Sequence, residues 1–417
     1  MDIIIGSGIT GLSYAFFKGD NDWLLIEGED RLGGYCRTTK RNGFIWDYSG
    51  HFFHFQDNNI RQILMERLIY ENKVVEVDKA TSIRYKDLLV DFPFQTNIHQ
   101  LDKEEFIDCL VDLFSAEKKE YSTFEEMLYC KFGKSIAEKF LIPYNEKLYA
   151  CDLNLLDKDA MGRFFPYAEK EQIVLSFRRH NNGSYNASFT YPIEGAQEYI
   201  NELTRRLPLE NIRTGNRVVK IDTDKKCVEL DNGEEIFYDR LISTMPFPQL
   251  LGMAGIGYKE DIYSWNKVLV FNIGFNSKGP VKDKHWIYFP EKQYCFYRVG
   301  FYDNIIGQDR TSVYVEIGFS KDSDVDAAEW KDRVLSDLVR AGIVDPHQEV
   351  VDFEAVVMNP AYVHITNASI EDVECKKQVL AKNEIYSIGR YGSWTYCSIE
   401  DNIKEARALA KELNDGK

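Results

Sequence analysis

The chain has 417 residues with 44% hydrophobic content and no apolar run of membrane-spanning length, so we expect two or three domains and no membrane insertion. Its formal net charge of −16 at pH 7 argues against nucleic acid and anionic membranes as partners. The apolar run at the N-terminus is too short for a signal peptide, so we expect a cytoplasmic protein.

The N-terminal residues carry a glycine motif between a strand and a helix. The strand Asp2–Ile5 leads into Gly6, Gly8 and Gly11 in a G-x-G-x-x-G spacing, and a helix is predicted over 12–18. The first glycine permits a tight turn, the second lets the backbone approach a diphosphate, and the third lets the helix pack on the strand. Glu27 ends the next strand, Trp23–Ile26, at the distance where an acid binds ribose hydroxyls. This pattern predicts a dinucleotide site.

A second glycine turn follows the acid directly. Arg31, Gly33 and Gly34 resemble the second diphosphate-contacting turn of the amine-oxidase-like flavoproteins, which favours FAD over NAD. The chain has no second dinucleotide fingerprint, and this argues against reductases with separate FAD and NAD(P) domains. Its eight cysteines show neither a C-x-x-C pair nor the Cys/His spacing of a metal site, so we expect buried free thiols and no metal.

The middle of the chain changes from helical to strand periodicity. After a segment at 60–68, helical spacing dominates over 101–165, with Phe106, Leu110, Leu113 and Phe114 on one face. Short strands at 218–221, Cys227–Leu230 and 241–244 suit a return to the nucleotide-binding domain. A second group of strands, interrupted by one helix at 327–341, predicts an antiparallel sheet: 268–275, 285–289, 294–301, 313–319 and Val350–Met358.

The C-terminal residues combine a strand at 385–388, a turn beginning at Gly389 and Arg390, and a helix from Ile399. Ser398 and Asp401 are spaced as a variant capping box at the start of that helix. A capped helix that follows a glycine turn presents N–H groups and partial positive charge to an anion such as a flavin ring or a phosphate.

These elements together predict a mixed α/β fold: a Rossmann-like FAD-binding domain with an inserted helical domain and an antiparallel β-sheet domain. We expect the FAD-binding domain to be discontinuous, over 1–80, 193–247 and 376–417. The helical substrate or lid domain is expected over 95–170. The β-sheet substrate domain is expected over 81–94, 171–192 and 248–375.

Five further segments, in order along the chain, are similar to those of one enzyme family: DYSGH at 47–51, DFPFQTN at 91–97, PYNEKLYA at 143–150, HWIYFP at 285–290 followed by FYR at 296–298, and GRYGSW at 389–394 with Tyr396. The chain resembles the UDP-galactopyranose mutases, in particular their eukaryotic-type branch. It departs from that branch at Tyr149, where many members have tryptophan, and at Ser49, where glycine is usual. Both differences bear on the shape of the sugar pocket.

The resemblance implies a role for each matching residue. The catalytic residues would be His51, Arg298 and Arg390, while His54 would be a packing residue. The cofactor would be bound by Gly6, Gly8, Gly11, Glu27, Arg31, Gly33, Gly34, Gly50, Val218, Gly389 and Ser398. The substrate would be bound by Gln95, Asn145, Tyr149, Arg163, Arg298, Tyr362, Arg390 and Tyr396.

The activity that the resemblance implies is the interconversion of UDP-galactopyranose and UDP-galactofuranose, or of a close analogue, for cell-surface polysaccharide biosynthesis. In that family reduced FAD bonds covalently through N5 to the sugar, without net redox change, and NAD(P)H is a possible external reductant. The glycine motifs alone leave two alternatives. One is an amine-oxidase-like or protoporphyrinogen-oxidase-like FAD oxidoreductase, and the other is a non-catalytic FAD-binding or nucleotide-sugar-binding protein.

Overall fold

The computed structural model describes residues 1–117, 119–178 and 187–415. In the described residues the strands, β1 to β19, are Asp2–Ile5, Trp23–Ile26, Thr38–Arg41, Phe44–Asp47, Val74–Asp78, Thr81–Tyr85, Leu88–Asp91, Ser188–Pro192, Ile212–Arg213, Val218–Asp222, Cys227–Leu230, Glu235–Phe237, Arg240–Ser243, Asn266–Phe275, Trp286–Tyr288, Arg298–Phe301, Ser312–Ser320, Val350–Met358 and Ile385–Ser387. The α-helices, α1 to α13, are Ile9–Lys18, Asn58–Tyr70, Lys103–Ser115, Phe124–Ile136, Ile142–Tyr149, Lys170–Ser176, Gln197–Thr204, Phe247–Met253, Tyr302–Ile305, Ala327–Arg340, Asn367–Ala381, Gly389–Gly392 and Ile399–Asp415. None of these helices is both long and apolar enough to cross a membrane.

A parallel sheet in the order β19-β13-β1-β2-β9 carries the N-terminal glycine motif at the end of β1. Its strands are apolar on both faces because helices and a second layer cover both sides. Ile4 and Leu25 pack with α1 and α13 on one face, whereas Ile3 and Leu24 pack on the other. The strands at 218–222 and 227–230 do not extend this sheet. With β12 they form a separate antiparallel sheet that covers its second face.

A larger sheet has seven strands in the order β18-β14-β17-β16-β15-β6-β7. It is antiparallel as predicted, except that β15 pairs with β6 in parallel. The expectation of a wholly antiparallel sheet was therefore wrong at this pair. The reason is distance along the chain: β6 and β15 are about 200 residues apart, so no hairpin fixes their relative direction.

The helical unit lies over the end of this sheet. α3, α4 and α5 share one core with strands β6 and β7, and a π-helical turn, Ala137–Leu141, joins α4 to α5. Leu113 is buried in this core, and Phe106 and Leu110 pack against it, but Phe114 is 58% exposed. The apolar face predicted for this helix is therefore buried only in part, at Leu113 and at Cys109 on the same helix.

The mixed α/β fold class is confirmed. The predicted domain bounds stay a prediction, and residues 118, 179–186, 416 and 417 of those domains lie outside the described residues. Strands β6 and β7 join the sheet formed by the later residues.

Helix α5 is fixed on the large sheet by a close backbone approach. A Cβ on Gly318 of β17 would lie 2.2 Å from the main-chain oxygen of Lys147 on α5. The side chain of Lys147 adds a second attachment, because its ammonium reaches the carbonyl oxygens of Phe289, Glu291, Tyr294 and Phe296 at 2.5–3.1 Å. The sheet thereby determines where the other side chains of α5 stand.

We expect Gly318→Ala to lower the free energy of unfolding by roughly 1–3 kcal/mol, because the added methyl group displaces α5 from β17. The measurement is the midpoint of thermal unfolding. Gly252→Ala is the matched control, since a Cβ on this α8 residue would meet no atom within 4 Å. An unchanged midpoint for Gly318→Ala would show that α5 is not held against β17.

Candidate functional site

A cavity of about 610 Å³ lies between the parallel sheet and the large sheet. It is lined by predicted site residues from distant parts of the chain: Gly6, Gly8, Glu27, Gly33, Gly34, Gly50, His51, Val218, Arg298, Tyr362, Gly389, Arg390, Tyr396 and Ser398. The fold therefore brings both glycine turns, the histidine segment and the two arginines to one cavity.

The first glycine turn forms the floor of the cavity. Gly6 has φ 98°, and a Cβ on Gly11 would lie 2.0 Å from the main-chain oxygen of Gly6, so helix α1 packs on the turn itself. Among the described residues, a Cβ on Gly8 would meet no atom within 4 Å, and no side chain caps the start of α1. The N–H groups of the first turn of α1 thus face open space, which is the arrangement that binds a diphosphate.

The second glycine turn lies against the first. Gly33 N donates to the main-chain oxygen of Ser7 at 3.0 Å, and a Cβ on Gly34 would be 3.3 Å from the Cα of Gly8. Glu27 is held beside them, because its carboxylate accepts from Ser7 N at 2.8 Å and from Ser7 Oγ at 2.6 Å. These contacts fit a dinucleotide, with the diphosphate along the glycines and the ribose at Glu27.

Arg31 and Arg163, which are predicted to bind the cofactor and the substrate, do not line the cavity. The Arg31 guanidinium donates to the main-chain oxygen of Thr38 at 3.0 Å, on the outer side of the turn. Arg163 binds both carboxylate oxygens of Asp401 at 2.6 and 2.7 Å and so connects the helical unit to α13. Gly11 also stands outside the lining, in a packing position.

The start of α13 has the cap that its sequence predicts. Asp401 N donates to Ser398 Oγ at 3.1 Å, and Ser398 N and Oγ donate to Asp401 Oδ2 at 2.9 and 2.8 Å. Asn402, in the next position, accepts from Arg390 N at 2.8 Å. The helix is therefore joined to the turn that carries Arg390.

The histidine segment, which contains Gly50 and His51, is tightly packed where it lines the cavity. A Cβ on Gly50 would lie 2.6 Å from the Phe52 ring and 2.7 Å from the hydroxyl of Tyr314. His51 Nδ1 lies 3.2 Å from the main-chain oxygen of Ser49 and donates to it in the tautomer that this contact favours. Burial lowers the pKa of His51 to about 4, so the imidazole is uncharged at neutral pH.

Arg298 is held by a buried carboxylate. Arg298 and Glu316 are directly opposite each other on β16 and β17. Arg298 Nε and Nη2 donate to the two oxygens of Glu316 at 2.5 and 2.7 Å, and Nη2 also lies 3.3 Å from Ser49 Oγ. Desolvation lowers the pKa of Arg298, but the charge of Glu316 more than offsets it and holds this pKa well above its ordinary value.

Arg390 lies against two tyrosine rings. Its guanidinium carbon is 5.1 Å from the Tyr362 ring centre and 4.7 Å from the Tyr396 ring centre, and the two rings are stacked on each other at 5.8 Å. Its Nη1 donates to the main-chain oxygen of Cys397 at 3.3 Å. Its Nε is buried without a partner in the described residues. Cation–π contact holds this charge in place while leaving donors for an anion.

The remaining predicted residues are buried and do not line the cavity: Gln95, Asn145 and Tyr149. Gln95 Nε2 donates to the main-chain oxygen of Pro166, and Asn145 Nδ2 donates to that of Leu141. Gln95 Oε1, Asn145 Oδ1 and the Tyr149 hydroxyl are buried without a partner among the described residues. Unpaired buried polar atoms are costly, so these three atoms indicate a ligand or bound water.

Sequence reasoning missed several residues at the cavity and near it. Glu316 is the most important, and a signal for it exists: it is a carboxylate in the middle of the apolar strand SVYVEIGFS. Arg217 also lines the cavity, with its guanidinium carbon 3.1 Å from the position of a Cβ on Gly28, next to Glu27. The hydroxyl of Tyr297, one residue before Arg298, is another buried polar atom without a partner in the described residues.

A glycine turn at a parallel sheet, with an acid at the end of the second strand, defines a dinucleotide-binding protein. The family model described as flavin containing amine oxidoreductase matches residues 18–369. The chain belongs to this family, and its cofactor is accordingly a flavin.

Individual proteins of known activity are similar to this chain over most of its length. Coproporphyrinogen III oxidase of Bacillus subtilis (strain 168) is 24% identical over 323 residues, 68% of either protein. The solved structure of reduced UDP-galactopyranose mutase is 25% identical with a TM-score of 0.91, covering 100% of this chain and 94% of that one. Cyclohexylamine oxidase from Brevibacterium oxydans IH-35A shares the fold, with a TM-score of 0.69, 14% identity and 99% of each chain covered.

We expect His51 to remain uncharged above about pH 5 in the substrate-free protein. Its pKa falls from 6.5 in the unfolded chain to about 4 in the fold, because burial penalises the charged imidazole. The unfolded chain binds more protons between these values, so the stability due to this group is complete above pH 6.5 and is lost as the pH falls through 4. Histidine NMR titration, with His51→Gln for assignment, measures this pKa. A ring that titrates near 6.5 would contradict it.

Proposed function

We propose that the protein is an FAD-dependent nucleotide-sugar mutase of the eukaryotic-type UDP-galactopyranose mutase branch, which interconverts UDP-galactopyranose and UDP-galactofuranose. The observation that carries this proposal is the pair of partly buried cations, Arg298 and Arg390, in the same cavity as the glycine turns. Two fixed guanidinium groups suit a diphosphate, since each offers directed donors to phosphate oxygens. The likeness to the reduced mutase over the whole chain supports the same function.

The cofactor end of the cavity fits FAD. Gly6, Gly8, Gly33 and Gly34 would hold the diphosphate, and Glu27 would bind the ribose, while Val218 lies at the same end of the cavity. Gly50, Gly389 and Ser398 line the cavity beyond the glycine turns, where the flavin ring would lie. When bound in reduced form, FAD supplies the nucleophile for a sugar rearrangement without net redox change. NAD(P)H is the external reductant that we propose.

The arginines would act on the leaving group. As the bond between the anomeric carbon and UDP weakens, negative charge grows on the diphosphate, and Arg298 and Arg390 would stabilise it. Both are fixed before substrate arrives, Arg298 by Glu316 and Arg390 by the rings of Tyr362 and Tyr396. The hydroxyls of these two tyrosines would add hydrogen bonds to the phosphates.

The other buried polar atoms would bind the neutral parts of the substrate. Gln95 Oε1 and Asn145 Oδ1 are acceptors, suited to a uracil N–H or a sugar hydroxyl. The centre of the Tyr149 ring lies 5.9 Å from that of Tyr362, which lines the cavity. His51 would remain neutral and hydrogen-bond near the reacting atoms, where a charged imidazolium would repel a cationic sugar.

The oxidase alternative has support of its own in the similarity to coproporphyrinogen III oxidase. Arginines bind carboxylates as well as phosphates, so a carboxylated tetrapyrrole would also suit two partly buried cations. The mutase is favoured because its solved structure matches the whole chain with a TM-score of 0.91 at 25% identity, whereas the structure of a putative protoporphyrinogen oxidase, which also covers the whole chain, matches with a TM-score of 0.78 at 16% identity.

We expect dithionite-reduced protein to convert UDP-galactopyranose into UDP-galactofuranose, with the products separated by chromatography. The oxidised protein is the matched control and should be inactive, because only reduced flavin is nucleophilic. A panel of UDP- and dTDP-sugars tests which sugar is preferred. Absence of any rearranged sugar, together with oxygen-dependent peroxide formation from coproporphyrinogen III or an amine, would contradict the mutase and favour the oxidase.

We expect Arg390→Ala to weaken UDP binding by roughly 10- to 100-fold, the effect of losing a charge-assisted contact, while the flavin spectrum is retained. Arg298→Ala should weaken binding similarly and also lower the unfolding midpoint, because it leaves Glu316 buried without its partner. The matched control is Arg61→Ala, which removes an arginine paired at the surface with Glu76. Equal UDP affinity for wild type and Arg390→Ala would show that Arg390 does not bind the substrate.

A further inference from the structure

Ser49 has a backbone conformation that normally requires glycine. Its φ is 81°, in the left-handed region that is unfavourable for a residue with a Cβ. The side chain is also buried, 6% exposed, at a turn that precedes His51 by two residues. A serine that keeps this conformation has a compensating interaction, and strained positions of this kind occur at functional sites.

The compensating interaction is made by the Ser49 hydroxyl. Ser49 Oγ donates to Glu316 Oε1 and lies 3.3 Å from Arg298 Nη2, from which it accepts. The single hydroxyl proton goes to the carboxylate, and an oxygen lone pair receives the guanidinium N–H. The hydroxyl thus completes a buried cluster of Ser49, Glu316 and Arg298.

The same residue also contacts His51. The main-chain oxygen of Ser49 lies 3.2 Å from His51 Nδ1, while its side chain reaches the Arg298–Glu316 pair. Ser49 therefore connects the histidine to the arginine through one residue. A rotation of its backbone would move both groups.

The cluster determines which edge of Arg298 is available to a ligand. The contacts to Glu316 and Ser49 use Nε and Nη2. Within the part of the chain that the structure describes, Nη1 enters none of these contacts and is the amino group available to an anion in the cavity. Without the hydroxyl, Arg298 would keep its carboxylate but lose the contact that fixes the guanidinium relative to the histidine turn.

We propose that Ser49 is a positioning residue, which holds Arg298 Nη1 and His51 towards one ligand by joining the histidine turn to the Arg298–Glu316 pair. The proposal rests on the proposed function in one respect, namely that the anion bound by Arg298 is a nucleoside diphosphate. Ser49 does not touch the substrate in this scheme. Its effect is on the orientation of two groups that do.

Two substitutions separate the hydroxyl from the backbone strain. Ser49→Ala removes the hydroxyl and keeps a Cβ at positive φ, whereas Ser49→Gly removes the hydroxyl and relieves the strain. Ser82→Ala is the matched control, because Ser82 is a buried serine whose hydroxyl has no partner among the described residues. The measurements on each flavin-loaded protein are the Kd for UDP and the midpoint of thermal unfolding.

We expect both Ser49 variants to bind UDP about tenfold more weakly than wild type, the effect of losing one buried hydrogen bond to a charged group. Their unfolding midpoints should differ, with Ser49→Gly more stable than Ser49→Ala. Ser82→Ala should keep the wild-type Kd. The affinity loss would then be independent of stability, which a merely structural serine does not produce.

Wild-type affinity in Ser49→Gly, with loss only in Ser49→Ala, would overturn the proposal, since binding would follow backbone strain alone. Unchanged affinity in both variants would overturn it as well. A wild-type protein that binds inorganic pyrophosphate but not UDP would instead contradict the proposed function. The Kd for pyrophosphate would then replace the Kd for UDP in the test of Ser49: weaker binding in both variants would support the positioning role, and wild-type affinity in Ser49→Gly would overturn it.

Discussion

The ion pair between the partly buried Arg298 and the buried Glu316 is the constraint on which this side of the cavity depends. Removing two charges from water is favourable only when they meet in close geometry and their remaining polar atoms are bonded. Here the register of β16 and β17 places the two residues opposite each other, so the sheet itself supplies that geometry. The histidine turn and the neighbouring tyrosines are then arranged around a cation whose position is already determined.

Anion binding by an acidic protein follows from the local arrangement of charge. The chain carries a net charge of −16, yet the cavity faces the start of α1 and two guanidinium groups. Surface charges are screened by salt over about 8–10 Å, whereas buried groups and helix ends act at contact distance. The local field at the cavity therefore outweighs the overall charge of the molecule.

Enzymes that catalyse different reactions share this fold, so the fold alone does not identify the reaction. The cyclohexylamine oxidase has the same fold at 14% identity, while the reduced mutase is similar over the whole chain at a TM-score of 0.91. The reaction of such an enzyme depends on the side chains of its site rather than on its fold. In this chain the cavity is lined by Arg390, which lies against two stacked tyrosine rings, and by Arg298, which is paired with Glu316.

The sequence by itself determined the cofactor side. Gly6 to Gly11, Glu27 and the Ser398–Asp401 cap are local patterns, in which each residue's role depends on neighbours close in the chain or at a set spacing. It also indicated the mixed α/β class, because helical and strand periodicities are local. Only the tertiary structure decided that Glu316 neutralises Arg298, that Ser49 bonds to both, that Arg163 pairs with Asp401 and that β6 joins β15 in parallel. These contacts join residues 18 to 267 positions apart, and no local pattern specifies which distant side chains a sheet register brings together.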